Sequence, residues 1–446
     1  MNRIIHSLSI EKIAMHGYGI GFAEGKAIFV PFTMPGDVID AEIMHEKKDI
    51  CFGTVTHFIK YSDARQEPNC GAFGPEYSCG GCDWLMTPYE TQLNWKTTLI
   101  KEAFAPLQFA TSIKTIVPSP QPQFYRNKSF LPAGKDKDGL CFGIFARYSH
   151  KVIPHKQCLL QPSVMDEILH EIVAFARQVK LEPYDETTGK GTLRHGGIRI
   201  NSTQDEILLI MVTKSSKFPF TQQFIRTLTS RFPQITGIIQ NINRSNGNVI
   251  LGNDDKLLFG TPYLTETLGD IRLRVHYRSF LQINPGTTKK LYTHLKDNLN
   301  ADDIVLDAFC GIGSIGLFVA NKVKQVIGIE EVPEAITDAD FNKALNNSSN
   351  ISFHLGKVET ELPKLMQQHN FTKVIFDPPR KGVEASVLLA LAEHKIKHIF
   401  YVSCNPMTLV RDIRLLIEQG YRVDEITPFD MFPQTWHIET VVRLSL

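Results

Sequence analysis

Long apolar runs are missing from this chain: no stretch approaches the roughly 18 apolar residues of a membrane-spanning helix, so no membrane partner is expected. The start, Met1-Asn2-Arg3-Ile4-Ile5-His6, lacks the apolar core and small-residue cleavage site of a secretory signal. The expected location is therefore cytoplasmic. Charge imbalance is missing too. With 48 Lys and Arg against 47 Asp and Glu, the net charge of +1 gives no global pull toward nucleic acid, so any such partner needs local basic patches. Cysteine is sparse, 8 in 446 residues; that excludes a disulfide scaffold, and in a reducing compartment clustered cysteines point to metal or catalysis. Repeats and low-complexity tracts are absent. What remains is an ordinary globular composition, 43% hydrophobic and 21% charged, with length for roughly three domains at about 150 residues each.

The first 58 residues read as short strands over 9–13, 27–31, 38–43 and 53–56, separated by turn signals at Gly17-Tyr18-Gly19-Ile20-Gly21, Glu24-Gly25-Lys26 and Pro35-Gly36-Asp37. Closely spaced strands of this kind suit an OB-like barrel, a fold whose face commonly binds oligonucleotides. Through Gly17 to Gly21 and through Phe29-Val30-Pro31-Phe32-Thr33-Met34-Pro35-Gly36-Asp37, the segment resembles the TRAM module of RNA-modifying enzymes.

Residues 59–270 read as a central α+β domain, with helices over 89–104, 165–179 and 221–230, a strand over 206–212 and a strand-turn-strand from 241 to 252. It opens with Cys70 and Cys79-Gly80-Gly81-Cys82. Two thiolates three apart with glycines between turn readily onto one metal centre, and such centres need about four ligands. Cys158 is the candidate fourth, because Cys51 and Cys141 sit in strand-like contexts. Spacing leaves zinc and an iron-sulfur cluster both open. Between 124 and 156, Arg126, Lys128, Lys135, Lys137, Arg147, His150, Lys151, His155 and Lys156 interleave with Phe124, Tyr125 and Tyr148, a combination suited to phosphate contacts and base stacking in RNA binding.

From about residue 300, strands alternate with helices, the pattern of a Rossmann-like doubly wound α/β sheet; the domain is taken as 271–446. Asp307-Ala308-Phe309-Cys310-Gly311-Ile312-Gly313-Ser314-Ile315-Gly316 follows the first strand, and Glu330 ends the second, where a carboxylate can bind ribose hydroxyls. Gly311-x-Gly313-x-x-Gly316 also fits a dinucleotide-binding turn. A nicotinamide-dependent oxidoreductase, however, leaves Asp377-Pro378-Pro379-Arg380 and Cys404 without roles. With the Pro-Pro loop after the fourth strand, the pattern resembles S-adenosylmethionine-dependent methyltransferases.

Cys404, in Ser403-Cys404-Asn405-Pro406, stands where a parallel strand runs out, facing the crevice in which open α/β sheets bind ligands. Nitrogen and oxygen acceptors already present a lone pair and need no covalent nucleophile. Carbon 5 of uracil does not: a thiolate must add to C6 to make C5 nucleophilic, and a base must later remove the C5 proton. Glu439, in Trp436-His437-Ile438-Glu439, is the first candidate base and His437 the second.

Phe280-Leu281-Gln282-Ile283-Asn284-Pro285, the 307–316 loop, Asp377-Pro378-Pro379-Arg380-Lys381-Gly382, Ser403 to Pro406 and His437-Ile438-Glu439-Thr440 together resemble the uracil-C5 RNA methyltransferases, in the bacterial group with a TRAM domain and an iron-sulfur cluster that acts on 23S ribosomal RNA. The resemblance spans nearly the whole chain. It implies Cys404 as nucleophile, Glu439 as base, and a pocket for S-adenosyl-L-methionine and uracil lined by Gln282, Phe309, Glu330 and Asp377, beside Gly311, Gly313 and Ser314 of the glycine turn. It implies a 4Fe-4S cluster on Cys70, Cys79, Cys82 and Cys158, although the interval from Cys70 to Cys79 is longer than the family's usual one. The expected partner is RNA, 23S ribosomal RNA first and transfer RNA as the alternative, with the chain working as a monomer. A non-catalytic RNA-binding protein would have no use for a paired Cys404 and Glu439.

Overall fold

The computed structural model describes residues 3–76, 78–108, 113–154 and 156–446; His155 of the basic run lies outside them. The chain begins with a closed five-stranded barrel of β1 (Ile4–Ile13), β2 (Gly19–Ala23), β3 (Lys26–Val30), β4 (Val38–Glu46) and β5 (Ile50–Lys60), ordered β1-β2-β3-β5-β4. Alternate residues such as Ile28, Val30, Ile39 and Ala41 fill its interior. One expectation fails here: the glycines read as a turn at 17–21 are largely strand β2. Gly19 and Gly21 serve close approach instead, since a side chain at Gly21 would run into the Ser9 carbonyl at 2.5 Å and one at Gly19 into the Thr33 hydroxyl.

After the cysteine segment comes α1 (Tyr89–Phe104), then the strands β6 (Lys128–Asp136), β7 (Gly139–Phe145) and β8 (Val152–Pro154), α2 (Ser163–Gln178), β9 (Leu193–Ile200), β10 (Ile207–Thr213), α3 (Thr221–Arg231), β11 (Ile235–Ile242) and β12 (Asp254–Gly260). These strands form one seven-stranded sheet, ordered β12-β11-β10-β9-β6-β7-β8. Its one face is covered by α2 and α3 through Ile168, Ile172, Phe224 and Leu228. On the other face Leu208, Ile210 and Val212 join the core of the C-terminal region.

A hairpin, β13 (Tyr263–Leu268) and β14 (Ile271–His276), leads into α4 (Pro285–Asp297). Then follow β15 (Ile304–Ala308), α5 (Ser314–Ala320), β16 (Gln325–Glu330), α6 (Pro333–Leu345), β17 (Ile351–Leu355), α7 (Val358–Gln368), β18 (Lys373–Phe376), α8 (Ala385–Glu393), β19 (His398–Ser403), α9 (Pro406–Glu418), β20 (Arg422–Phe429) and β21 (Glu439–Ser445). The second seven-stranded sheet is ordered β17-β16-β15-β18-β19-β21-β20, with β17 through β19 parallel and the last two strands antiparallel. Val305, Val326, Ile375 and Phe400 point to one side, and Leu306, Ile327, Val374 and Ile399 to the other. Both faces are therefore buried, which is why these strands read as near-continuous apolar runs. This is the doubly wound α/β architecture expected.

Helix α1 packs on this C-terminal sheet: Leu93, Leu99 and Ile100 share a core with Leu409, Ile413 and Leu416 of α9. The stretch after it bridges in parallel to β20, Ile113 to Ile426 and Val117 to Phe429. Among the described residues no helix is long and apolar enough to cross a membrane.

Candidate functional site

Three strand ends converge at the carboxyl edge of the C-terminal sheet. Phe376 pairs with Tyr401 across β18 and β19, and Ser403 pairs with Thr440 across β19 and β21. The next residue along each strand is Asp377 after β18, Cys404 after β19 and, on the antiparallel β21, Glu439. Cys404 and Glu439 thus stand one step beyond the last rung of a single ladder, and Glu439 is also paired to Phe429 of β20. Asn405 ends β19 by capping α9, its side chain accepting the Met407 N–H at 3.1 Å. Gln282, buried ahead of α4, donates to the Asp377 carboxylate.

The charges at this edge are strongly coupled. Burial, and then the Glu439 carboxylate, push the Cys404 thiol up to about 11, while Arg380 opposes both by its charge and by a hydrogen bond to the sulfur. Burial and the neighbouring Asp377 raise Glu439 well above the usual carboxylate range, again against Arg380. Asp377 is pushed by burial up to about 7. Two buried carboxyls that repel one another hold a proton between them near neutral pH, the arrangement of an acid–base group poised at its working pH. Arg380 is the cation that counters the rise at both Cys404 and Glu439; its role was not read from the sequence, though it lies within the Asp-Pro-Pro-Arg motif.

A second group lines the adjoining cleft. Asp307 is buried one residue before the end of β15, with Oδ2 accepting the Gly316 N–H at 2.8 Å and Oδ1 lacking a partner among the described residues. Burial pushes it up to about 7, against the Gly316 hydrogen bond and with Asp377 and Glu330 adding to the rise. The backbone then turns through left-handed conformations at Phe309 (φ 67°), Gly311 (φ 53°) and Gly313 (φ 78°). A side chain at Gly311 would meet nothing within 4 Å, so the turn borders open space. Glu330 ends β16 and accepts from the Gly311 N–H at 3.0 Å and the Val332 N–H at 2.9 Å. It therefore ties down the turn as well as facing the cleft. Ser314 bonds the Tyr292 hydroxyl at 2.9 Å. An orphaned buried carboxylate oxygen, open space over a glycine turn and a carboxylate at the second strand end fit a nucleoside-bearing cofactor such as S-adenosylmethionine.

The loop carrying Glu439 is held by residues far away in sequence. Lys96 of α1 is wholly buried and donates to Asp430 Oδ1 at 2.5 Å, the Phe432 carbonyl at 3.0 Å and the His437 carbonyl at 2.9 Å. Three acceptors use all three donors of an ammonium group. Tyr89 donates to the other Asp430 oxygen at 2.7 Å, and Gln92 donates to Gln434 Oε1 at 2.8 Å. Asp83 Oδ2 accepts the Trp436 N–H at 3.0 Å, while Arg147 pairs with its other oxygen. His437, tilted against Trp436 with centroids 4.3 Å apart, is pushed down to about 4 by burial and by Arg380; a neutral imidazole so placed is a weak base.

The four candidate metal ligands come into one neighbourhood. Burial raises the Cys82 thiol well above its ordinary value, and Cys158, Cys79 and Cys70 each add to the rise. Cys158 is pushed up by burial to about 12. Among the described residues no group of three or more His, Cys, Asp or Glu side chains is arranged to hold a metal ion. A cavity of about 940 Å³ runs from this cysteine region to Arg380 and His437, and Arg126, Arg147, Tyr148 and His150 of the basic run line it. Lys135 instead faces Glu182 on the surface.

Residues 88–446 match the family described as tRNA (uracil-5-)-methyltransferase. An uncharacterised RNA methyltransferase of Oceanobacillus iheyensis is 37% identical over 452 residues, covering 99% of this chain and 96% of that protein. One of Halalkalibacterium halodurans is 36% identical, covering 98% and 96%. The solved structure of Pyrococcus abyssi tRNA (uracil-54, C5)-methyltransferase in complex with S-adenosyl-L-homocysteine superposes with a TM-score of 0.78 at 26% identity, covering 100% of both chains. This chain belongs to the tRNA (uracil-5-)-methyltransferase family, a family of S-adenosylmethionine-dependent RNA methyltransferases.

Proposed function

We propose that the protein methylates C5 of one specific uracil in 23S ribosomal RNA through a covalent bond between Cys404 and C6. The observation that carries this reading is the placement of Cys404 and Glu439 side by side past one ladder rung, with Arg380 bearing on both. The target base must leave its stack, because attack at C6 and transfer to C5 both need the ring face. Asp307, Gly311, Ser314 and Glu330 would hold S-adenosylmethionine, which supplies an electrophilic methyl group when bound. The Cys404 thiol gives its proton to solvent water, and Arg380 stabilises the thiolate that results. The sulfur adds to C6, and the electron pair moves to C5. Once C5 carries the methyl group, Glu439 takes the C5 proton and the C6–S bond breaks, returning the electron pair to sulfur. Gln282 fixes Asp377 beside Glu439, keeping that carboxyl's proton affinity high.

Cys70, Cys79, Cys82 and Cys158 are proposed to hold a 4Fe-4S cluster of structural role, on the sequence pattern and on the bearing of Cys70, Cys79 and Cys158 upon Cys82, with side chains that must reorient to take it; zinc would use the same donors. A visible absorption spectrum of anaerobically purified protein separates the two. The reading makes the enzyme a cytoplasmic monomer. A transfer RNA uracil is the second reading, favoured by the full-length likeness to the Pyrococcus abyssi enzyme. The test is a pair of variants. Cys404→Ala should abolish methyl transfer and keep RNA binding, whereas Glu439→Gln should trap a protein–RNA adduct stable in denaturing gels. Turnover by Cys404→Ala removes the thiol from the chemistry. Mapping methylated uracils in ribosomal and transfer RNA from a deletion strain decides the substrate.

A further inference from the structure

The large cavity reaches well past the ladder that carries Cys404 and Glu439, and β9 builds part of its wall. In the pairing of β9 with β10, Val212 faces His195 while Thr213 faces Leu193, so Arg194 is an extra residue: a β-bulge. A regular strand sends consecutive side chains to opposite faces, and a bulge re-aims one of them. Here both Arg194 and His195 border the cavity. They are only 5% and 9% exposed. Each keeps a buried nitrogen with no hydrogen-bond partner among the described residues, Nε of Arg194 and Nδ1 of His195. Buried polar atoms without partners are costly and uncommon, so two on adjacent residues facing one cavity point to a ligand that completes them.

The two side chains are also held in place. Arg194 Nη1 donates to the Ser245 carbonyl at 2.5 Å and more weakly to that of Asn243 at 3.4 Å, and the guanidinium lies over the Tyr184 ring, 4.7 Å from its centroid. His195 is pushed down to about 4 by burial and by Arg194, against Glu186. The ring is therefore neutral, with one donor and one acceptor nitrogen. A phosphate, which only accepts, would leave the acceptor nitrogen unused; the edge of a nucleobase carries donors and acceptors together. Phe130 and Tyr148, the latter 84% exposed, line the same cavity and offer stacking faces. Arg126, Arg147 and Arg380 line the cavity too, and Arg380 is the one that hydrogen-bonds the reacting thiol.

We propose that Arg194 and His195 form a second nucleotide subsite, which reads the edge of one unpaired base flanking the target uracil. The proposal rests on the reading of the protein as an RNA uracil methyltransferase. It gives the central sheet a part in choosing the RNA: a flipped uracil leaves its neighbours unstacked, and one of them is checked at β9.

The experiment uses the full-length protein and RNA oligonucleotides containing the mapped target uracil, with each flanking nucleotide varied in turn. Wild type should prefer one base at one flanking position by about tenfold in kcat/KM. His195→Ala should erase that preference and raise KM for the preferred RNA about tenfold, with kcat changed far less. An unaltered preference and KM in His195→Ala would overturn the subsite, as would a wild type indifferent to every flanking base. Should His195→Ala fail to fold, His195→Gln, which keeps a donor and an acceptor, must change the base preferred; the same preference at the same strength overturns the proposal. Absence of methyl transfer to any RNA by wild type would instead bring down the functional reading on which the subsite depends.

Discussion

Lys96→Met removes a buried ammonium while keeping a side chain of comparable length. Both Lys96 and Asp430 side chains are 0% exposed, and they lie 2.5 Å apart. In the variant the Asp430 carboxylate stays buried with Tyr89 as its remaining side-chain donor among the described residues, and the His437 carbonyl loses the Lys96 donor, while the Phe432 carbonyl keeps Thr435. Removing one partner of such a pair costs about 3–5 kcal/mol, because the other charge is left uncompensated. At roughly 2–4 °C per kcal/mol for a unit of 150–250 residues, the melting temperature should fall by about 6–20 °C. Calorimetry on wild type and variant reads this directly. Assayed well below the new melting point, kcat should fall more than KM rises, since the freed His437 carbonyl is two residues from Glu439. Adding Asp430→Leu should recover part of the loss, because replacing a whole buried pair with apolar groups is often neutral. The reasoning fails if Lys96→Met melts within about 2 °C of wild type, or if the double variant is no better than the single.

The rate should climb with pH through neutrality. The proposed chemistry needs the Cys404 thiol, pushed up to about 11, and the Glu439 carboxyl, raised well above the usual carboxylate range, both ionised; a thiol at about 11 alone gives about a hundredfold rise from pH 6 to pH 8. A flat profile of kcat over that range would detach these groups from the mechanism. Stability should run the other way. Asp307 and Asp377 hold protons more tightly folded than unfolded, so their stabilising contribution is complete below the ordinary carboxylate range and is lost as pH rises through about 7. Melting curves across pH test that sign. Two glycines of the turn should part company. Gly313→Ala places a methyl 2.6 Å from the Phe353 ring at a left-handed φ and should lower the melting temperature. Gly311→Ala meets nothing within 4 Å, so it should cost about 1–2 kcal/mol of backbone strain and chiefly weaken S-adenosylmethionine binding by titration calorimetry.

The C-terminal sheet was legible because strands buried on both faces write themselves as short apolar runs, and because Cys404 follows one of those runs directly. Glu439 was legible from the motif His437-Ile438-Glu439-Thr440, and the structure makes it the first residue of β21. Long-range partners were not. Lys96 and Asp430 are 334 residues apart, and a single Lys in a helix gives no sign that it will be buried. The glycines at 19 and 21 misled for a related reason: the residue that opens a turn also lets two barrel strands touch, and only the neighbours distinguish the two uses. Arg194 and His195 drew no reading from the sequence, because only the bulge in β9 brings both of them to one cavity.

Residues 113–117 lie along β20, with the Lys114 N–H bonded to the Ile426 carbonyl, the Val117 N–H to that of Pro428 and the Asp430 N–H to that of Val117. The chain then leaves to build the central sheet and comes back at β13, so that sheet is an insert anchored to the methyltransferase body at both ends. A part hung from one linker can swivel freely, whereas a part hung from two can rotate only about the line joining its anchors. Here the shared core of Leu208, Ile210 and Val212 closes off even that rotation, so the cavity wall that β9 builds is fixed relative to the C-terminal sheet.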